Sequence, residues 1–217
     1  MKALILAAGY GKRMLPLTEK LPKPLLEVQG KPLLVHHLEK LKETGIQEVV
    51  INLAHLGHKI EEYLGDGSAY GLSIQYSLEG PEPLETGGGM AKALPLLGDS
   101  PFMVVNGDIF CDFDFASLPP LESGIDAHLV MVDTPEFKKT GDFSLGNDGY
   151  LADSGDGDLT YAGIALYNPR ILDGAKVEKF SIVPRLRQAI KNRRARGTYH
   201  DGKWCDVGTP ERLLALQ

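Results

Sequence analysis

Several features that mark other protein classes are missing from this chain of 217 residues. It has only two cysteines, with no C-x-x-C pair and no metal-ligand spacing, which predicts free thiols in a reducing compartment. The net charge of -6 argues against a general nucleic-acid binder, because such a protein needs a basic face. No apolar stretch approaches the ~20 residues that cross a membrane, and no signal peptide is evident. We therefore expect a cytoplasmic protein with neither a membrane nor a nucleic acid as partner.

Sets of residues for nucleophilic catalysis are also missing. The six histidines are scattered along the chain, and no serine lies in a G-x-S-x-G setting. Acyl transfer and thiol chemistry are therefore disfavoured. A hydrophobic content of 43% at this length instead fits one large globular domain with a substantial core.

The first 24 residues carry the strongest functional pattern. An apolar run at 3–8 leads directly into Gly9-Tyr10-Gly11-Lys12-Arg13, and a further cation follows at Lys23. Glycines let a backbone approach an anion closely, and their amides can cradle its oxygens. Arginine adds a planar fork of donors, and lysine adds a point charge. The pattern predicts a site for a polyphosphate, with an ordinary turn as the alternative.

Two common phosphate motifs do not fit this segment. The dinucleotide motif G-x-G-x-x-G would need a third glycine where Met14 stands, and Pro16 disfavours a helix that begins there. A Walker loop would need Gly-Lys-Ser/Thr at a fixed spacing, which the segment lacks. A different kind of phosphate site is therefore expected.

Strand and helix patterns alternate through the first half of the chain. The sequence predicts strands at 2–8, 48–52, 73–77 and 102–105, and helices at 31–44, 57–64 and after the glycines at 87–89. This rhythm indicates a parallel sheet with helices on both faces, whose ligands lie beyond the carboxyl ends of the strands. The loops that should form the site are 9–24, 79–89 and 106–112.

From about residue 126 the rhythm changes. The sequence predicts strands at 128–132 and 161–167, short strands and turns at 141–158, a helix at 181–194, and a hairpin at 197–207 around Asp201-Gly202. A last helix should begin at Pro210. We expect one domain, residues 1–217, with a nucleotide half at 1–120 and a sugar-or-acceptor half at 121–217.

Two aspartates are candidate metal ligands. Asp108 ends the predicted strand Val104-Val105-Asn106-Gly107-Asp108, where a carboxylate could bind Mg²⁺ together with substrate phosphates. Asp206 lies in the apolar segment 204–210, which would hardly tolerate an unpaired charge. Ordinary turn or capping roles are the alternatives, since Thr209 before Pro210 is typical of an N-cap.

The loop at 79–89 ends in three consecutive glycines. Glycines at a helix start cost conformational entropy, so some structural need must justify them. We interpret them as a place where a flat base or a ribose approaches the backbone. A mobile loop is the alternative.

In combination these segments resemble the sugar-1-phosphate nucleotidyltransferase family. The matching motifs are Leu6-Ala7-Ala8-Gly9-x-Gly11-x-Arg13-Met14-x-Pro16-Leu17-Thr18, Pro22-Lys23-Pro24, Asn106-Gly107-Asp108, Ala162-Gly163-Ile164 and Trp204-x-Asp206-Val207-Gly208-Thr209-Pro210. The resemblance implies an α/β fold: a three-layer α/β/α Rossmann-like core with a mostly parallel mixed sheet and a small β-hairpin extension. The compact length and the segment 85–89 most resemble the family's uridylyltransferases for N-acetylmuramate α-1-phosphate, which serve cell-wall sugar recycling.

The resemblance also implies roles for individual residues. Mg²⁺ would be the cofactor, held by Asp108 and Asp206, and the partners would be UTP and a sugar 1-phosphate. Arg13 would hold the departing pyrophosphate, and Lys23 would bridge the α-phosphate and the sugar phosphate. The residues implied to bind the nucleotide are Ala8, Gly9, Gly11, Arg13, Lys23, Glu79, Thr86 and Gly88. Those implied to bind the sugar are Asn106, Gly141, Asp153, Tyr161 and Gly163.

Other functions share parts of this pattern. A thymidylyl-, uridylyl- or guanylyltransferase for glucose or mannose 1-phosphate would differ mainly around 79–89. A non-catalytic nucleotide-sensing subunit would keep the fold, although the intact cations and carboxylates argue against it. A metal-dependent glycosyltransferase would use a D-x-D motif, which Asp112-Phe113-Asp114 offers. The oligomeric state is expected to be a monomer or a small homo-oligomer.

Overall fold

One seven-stranded sheet draws strands from both halves of the chain. The computed structural model describes residues 1–153 and 157–217. The strands of the large sheet are β1 (Ala3–Leu6), β4 (Glu48–Leu53), β5 (Ser73–Leu78), β6 (Phe102–Asn106), β8 (Ala127–Asp133), β11 (Leu159–Tyr167) and β12 (Ala195–Tyr199). The shorter strands are β2 (Glu27–Val28), β3 (Lys31–Pro32), β7 (Ile109–Cys111), β9 (Ser144–Leu145), β10 (Leu151–Ala152) and β13 (Trp204–Asp206).

The order of strands in the large sheet is β12-β8-β11-β6-β1-β4-β5. Strand β11 is antiparallel to both of its neighbours, β6 and β8. The remaining pairs in this sheet, β12 with β8, β6 with β1, β1 with β4 and β4 with β5, are parallel. The carboxyl ends of β1, β4, β5 and β6 therefore lie at one edge of the sheet.

Helices cover both faces of this sheet. They are α1 (Leu33–Glu43), α2 (Gly57–Leu64), α3 (Glu85–Leu97), α4 (Val183–Lys191) and α5 (Pro210–Leu214). Leu38 of α1 and Ile60 of α2 belong to the core on one face, whereas Met90 of α3 and Leu186 of α4 belong to the core on the other. Burying each such side chain contributes about 1.5–3 kcal/mol. The predicted three-layer α/β/α core with a mostly parallel sheet is confirmed.

A third, smaller core fixes the segment that follows β1. Met14 and Val207 are fully buried and belong to one cluster with Val28, Leu33 and Leu213. Met14 occupies the position where a dinucleotide motif would have its third glycine. Its side chain packs the loop against the C-terminal part of the chain. This packing brings Arg13 next to Gly208.

The predicted hairpin at 197–207 is wrong. Strand β12 pairs in parallel with β8 in the large sheet, whereas β13 pairs antiparallel with β7. A turn signal is local, but the partner of each strand is decided by packing against the rest of the protein. Small antiparallel pairs occur instead between β9 and β10 and between β2 and β3. The pairing of β13 with β7 places Asp206 opposite Ile109, beside Asp108.

Most of the other predicted elements are present with shifted bounds. Helix α4 is shorter than the predicted helix at 181–194, and α3 begins at Glu85, so the three glycines lie inside a helix. Short strands are present within 141–158, although residues 154–156 of that region lie outside the described residues. In the part of the chain that the structure describes, no helix is long and apolar enough to cross a membrane.

Candidate active site

Three adjoining pockets open at the carboxyl ends of β1 and β6, with volumes of about 210, 290 and 230 Å³. The strand-end pocket is lined by residues that include Ala8, Asn52, Glu79 and Thr86. The bulge pocket is lined by residues that include Lys138, Asp142, Gly163 and Trp204. The glycine-loop pocket is lined by residues that include Gly9, Gly11, Arg13 and Gly208.

The three pockets share walls. Asp108 lines all three of them. Lys23 lines the strand-end and glycine-loop pockets, Asn106 the strand-end and bulge pockets, and Arg13 the bulge and glycine-loop pockets. Because the same side chains form the boundaries, the pockets make one continuous cleft around Asp108.

The glycine-loop pocket combines open backbone with a cation. Gly11 has a φ of +64°, a left-handed conformation that favours glycine, and its carbonyl accepts a hydrogen bond of 2.8 Å from the Thr18 hydroxyl. Arg13 lies in a short 3-10 turn, Lys12–Met14, and is exposed to the pocket. A Cβ at Gly208 would lie only 3.1 Å from Arg13 Nη2, so glycine leaves room for the guanidinium. The pocket therefore suits an anion.

Charges of opposite sign alternate at the junction of the pockets. The buried Lys23 Nζ lies 2.6 Å from Asp108 Oδ2 and 3.9 Å from Asp206 Oδ1. On its other side, Asp206 Oδ2 accepts a hydrogen bond of 3.0 Å from Arg212 Nη1. A buried ammonium is costly unless it is paired, and two carboxylates compensate it here. The predicted pair of aspartates is thus brought together around one lysine.

The residues at this junction fit a divalent cation such as Mg²⁺. Carboxylate oxygens are the ligands that Mg²⁺ prefers, usually one or two of them together with substrate phosphates. In residues 1–153 and 157–217, no group of three or more His, Cys, Asp or Glu side chains is arranged to hold a metal. The side chain of Asp108 is 38% exposed, which leaves its oxygens accessible from the pockets. The donor set therefore fits a cation that completes its coordination with phosphates.

A buried polar network forms the floor of the strand-end pocket. Asn52 Oδ1 accepts a hydrogen bond of 2.6 Å from the Ala7 amide, and Asn52 Nδ2 donates one of 2.5 Å to Glu79 Oε1. The other oxygen of Glu79 accepts a hydrogen bond of 2.7 Å from the Leu84 amide. Burial raises the pKa of Glu79, and the two hydrogen bonds oppose that rise. Sequence reasoning missed Asn52, although a polar residue inside the apolar run 49–53 was a usable signal.

The three glycines of α3 serve close packing within the protein. A Cβ at Gly87 would collide with the ring of Phe180, one at Gly88 with the carbonyl of Glu178, and one at Gly89 with Glu79. The side of Gly88 that lacks a side chain thus faces the backbone of another segment, and its expected contact with a base stays a prediction. By contrast, Thr86 and Glu85 line the strand-end pocket.

The bulge pocket takes its shape from an irregularity in β11. The register between β11 and β8 shifts between Tyr161 and Ala165. Gly163 lies within the shift with a φ of +81°, and a Cβ there would lie 2.8 Å from Asn106 Nδ2. Trp204 Nε1 donates a hydrogen bond of 2.8 Å to the carbonyl of Ala162. Bulges re-aim side chains in this way, and here the bulge makes room for Asn106.

The facing wall of the bulge pocket comes from residues that sequence reasoning missed. Lys138 Nζ lies 2.6 Å from Asp142 Oδ1, and Asp142 Oδ2 accepts a hydrogen bond of 3.0 Å from the Tyr161 amide. Phe137 packs against Arg212, whose Cζ lies 4.1 Å from the ring centroid. No local motif marks these residues, because they are assembled by tertiary contacts.

The five expected sugar-binding residues fall into three groups. Asn106 and Gly163 line the bulge pocket as expected. Tyr161 borders it, but its hydroxyl bonds with Tyr167, and burial raises the pKa of Tyr161 well above its ordinary value. Asp153 pairs with Arg187 Nε of α4 at 3.3 Å and does not line the bulge pocket, so its contact with the sugar stays a prediction. Gly141 does not line the pocket either, and its amide bonds to the carbonyl of Gly157.

The D-x-D segment has local roles. Asp112 Oδ1 lies 2.9 Å from His200 Nε2, and Asp114 Oδ1 accepts a hydrogen bond of 2.9 Å from the Ala116 amide as a cap. Neither aspartate lines the three pockets. These contacts disfavour a D-x-D glycosyltransferase.

Comparison with known proteins decides the family, since residues 2–131 match the model described as nucleotidyl transferase. The chain belongs to the nucleotidyltransferase family. This nucleotidyltransferase is 48% identical to the N-acetylmuramate alpha-1-phosphate uridylyltransferase of Neisseria meningitidis serogroup B, over 100% of this chain and 97% of that protein. It is 34% identical to the protein of the same name from Caulobacter vibrioides, over 99% and 95% of the two chains.

A solved structure supports the fold of this nucleotidyltransferase. The structure of UDP-glucose pyrophosphorylase complexed with UDP-glucose superimposes with a TM-score of 0.81 at 21% sequence identity. The match covers 99% of this chain and 96% of that one. The fold is therefore shared over nearly the whole length of both chains. The family match and the full-length relatives show that the chain is a sugar-1-phosphate nucleotidyltransferase.

Proposed function

We propose that this nucleotidyltransferase transfers the uridylyl group of UTP to N-acetylmuramate α-1-phosphate, giving UDP-N-acetylmuramate and pyrophosphate. Support for these substrates comes from the full-length similarity to the uridylyltransferase of Neisseria meningitidis. The single observation that carries the reaction type is the position of Asp108, where the three pockets meet. A reaction that joins a nucleotide, a sugar phosphate and a leaving group needs three such compartments around one centre.

Each pocket takes one part of the reactants. The nucleoside occupies the strand-end pocket, the β- and γ-phosphates the glycine-loop pocket, and the sugar 1-phosphate the bulge pocket. In this assignment residues 1–120 form the nucleotide half and residues 121–217 the sugar-phosphate half. Because UTP is a cytoplasmic metabolite, we assign the reaction to the cytoplasm, in the recycling of peptidoglycan sugars.

The reaction is an in-line displacement at phosphorus. A phosphate oxygen of the sugar 1-phosphate forms a new bond to the α-phosphorus of UTP, while the bond from that phosphorus to the bridging oxygen of the β-phosphate breaks. The electron pair of the breaking bond leaves with pyrophosphate. The attacking oxygen is already ionised, so no general base is required. Catalysis therefore consists of positioning and charge neutralisation.

Each cation of the cleft binds different phosphates of the substrates. Arg13 binds the β- and γ-phosphates, and Lys23 orients the α-phosphate and the incoming sugar phosphate. Asp108 and Asp206 would hold Mg²⁺, which when bound neutralises charge on the phosphates. Arg212 orients Asp206 through their hydrogen bond of 3.0 Å.

A matrix of substrates tests the proposal. Pyrophosphate release is measured with UTP, dTTP, GTP and ATP against the 1-phosphates of N-acetylmuramate, N-acetylglucosamine, glucose and mannose, with and without Mg²⁺. The highest kcat/KM is expected for UTP with N-acetylmuramate 1-phosphate, and only with the metal. A higher value for glucose or mannose 1-phosphate would favour another sugar nucleotidyltransferase. Pyrophosphate release from no pair would favour a nucleotide sensor.

A further inference from the structure

We infer that Lys138 selects N-acetylmuramate 1-phosphate as the acceptor by binding the carboxylate of the lactyl group. The inference rests on the proposed function, since N-acetylmuramate differs from N-acetylglucosamine by a lactyl ether that ends in a carboxylate. A carboxylate that leaves water for a pocket needs a cation or several N–H donors to compensate it. The acceptor thus carries two anionic ends, a phosphate and a carboxylate, and each needs a counter-charge.

The charges around the bulge pocket leave one suitable cation. Among the described residues, the basic side chains that line it are Arg13 and Lys138, and the acidic ones are Asp108, Asp142 and Asp206. Arg13 also lines the glycine-loop pocket, so its charge serves the phosphates. Lys138 belongs to the bulge pocket and not to the other two.

Lys138 lies away from the phosphate end of the pocket. Its ammonium contacts Thr160 Oγ1 at 3.3 Å, and Thr160 precedes Gly163 by three residues on β11. Three residues of regular strand span about 10 Å, which is an upper bound across the bulge, and Gly163 packs against Asn106 at the junction. An acceptor whose phosphate is at Asp108 would therefore direct the opposite side of its sugar ring toward Lys138.

The environment of Lys138 fixes its position and leaves it able to bind. An ammonium has three donors, and the contacts with Asp142 and Thr160 use two of them. The side chain is 31% exposed. Asp142 is itself held by the Tyr161 amide, so the i,i+4 pair with Lys138 orients the ammonium before a ligand arrives. The third donor is the one we assign to the lactyl carboxylate.

The test removes the charge either from Lys138 or from the lactyl carboxylate of the acceptor. Lys138→Met and Lys138→Arg are assayed with N-acetylmuramate 1-phosphate and with its neutral lactyl methyl amide. For the wild type, the KM of the acid should be about 10- to 100-fold below that of the amide, as a charge-assisted hydrogen bond allows. Lys138→Met should raise the KM of the acid to that of the amide measured with the same variant, with a much smaller change in the amide KM and in kcat, whereas Lys138→Arg should keep most of the discrimination. Lys139→Met changes an exposed neighbour outside the pocket and should match the wild type.

Three results would overturn the inference. If Lys138→Met raised the KM of the acid and the KM of the amide by the same factor, the lysine would only support the loop. A wild type that does not distinguish the two acceptors would exclude Lys138 as a selector while leaving uridylyl transfer intact. A wild type that uses other sugar phosphates but not N-acetylmuramate 1-phosphate would overturn the proposed function as well. If the amide is not turned over, its inhibition constant against the acid replaces its KM.

Discussion

The strand-end pocket and the bulge pocket are built in different ways. The strand-end pocket lies beyond the four parallel strands β1, β4, β5 and β6. A buried network of Asn52, Glu79 and backbone amides ties the ends of β1, β4 and β5 together. The bulge pocket is lined by an irregular antiparallel strand and by the loop that carries Phe137 and Lys138, with partly exposed charges. The proposed nucleotide site thus lies on buried elements, whereas the proposed acceptor site lies on a loop and a bulge, where sequence change is tolerated more easily.

The largest effect is expected at Lys23, which lines the strand-end and glycine-loop pockets and lies 2.6 Å from Asp108. Lys23→Ala should lower kcat by about 10²–10³-fold, because one fixed donor to a developing charge is lost. The measurement is steady-state pyrophosphate release, with circular dichroism to verify the fold. Lys20→Ala, which alters an exposed lysine of the same segment, should keep normal turnover. Near-normal activity of Lys23→Ala would remove Lys23 from the reaction.

A smaller effect, which should distinguish the bulge pocket from the strand-end pocket, is expected from Gly163→Ala. A Cβ there combines a φ of +81° with a contact of 2.8 Å to Asn106, so the free energy of unfolding should fall by about 1–3 kcal/mol. The KM of the sugar 1-phosphate should rise more than that of UTP. The measurements are urea unfolding and steady-state kinetics.

Gly124→Ala is the matched control for this variant. Gly124 has a similar φ of +86°, but nothing lies within 4 Å of a Cβ built there. Its substitution should therefore cost only the backbone strain and leave both KM values unchanged. An equal loss of stability in the two variants, with unaltered KM values, would mean that the bulge does not shape the acceptor pocket.

The smallest effect concerns the pH dependence of stability at Glu79. Burial raises the pKa of Glu79 in the folded state above its ordinary value of 4.5, so the folded state holds this proton more tightly than the unfolded state. The contribution of Glu79 to stability therefore declines as the pH rises from 4.5 through the raised pKa. Relative to the wild type, Glu79→Gln should gain stability over that interval.

Urea unfolding at pH values from about 4.5 to about 7.5 measures this difference. Glu82→Gln, at an exposed carboxylate of the same loop, should show no comparable trend. A stability difference between Glu79→Gln and the wild type that stays constant with pH would contradict the assigned direction of the pKa shift.

The sequence predicted the part of the candidate site that is formed by residues directly after the strands. Asp108, Gly9 and Gly11 come directly after buried parallel strands, and such strand ends meet at one edge of a sheet. The sequence did not reveal the intramolecular neighbours of Gly88 and Asp153, because each neighbour is distant in sequence: Glu178 for the first and Arg187 for the second. The assigned ligand roles themselves stay predictions until substrates are measured.

By itself the sequence determined the alternation of strands and helices, the glycine loop with its cations and the carboxylate after β6. Periodicity, turn residues and strand-end motifs are encoded within a few neighbouring residues, and they can be read without knowing the fold. Only the tertiary structure decided that β13 pairs with β7, which brings Asp206 to Lys23, and that Lys138 lines the bulge pocket. Those contacts join segments far apart in the chain, and they depend on the packing of the complete core.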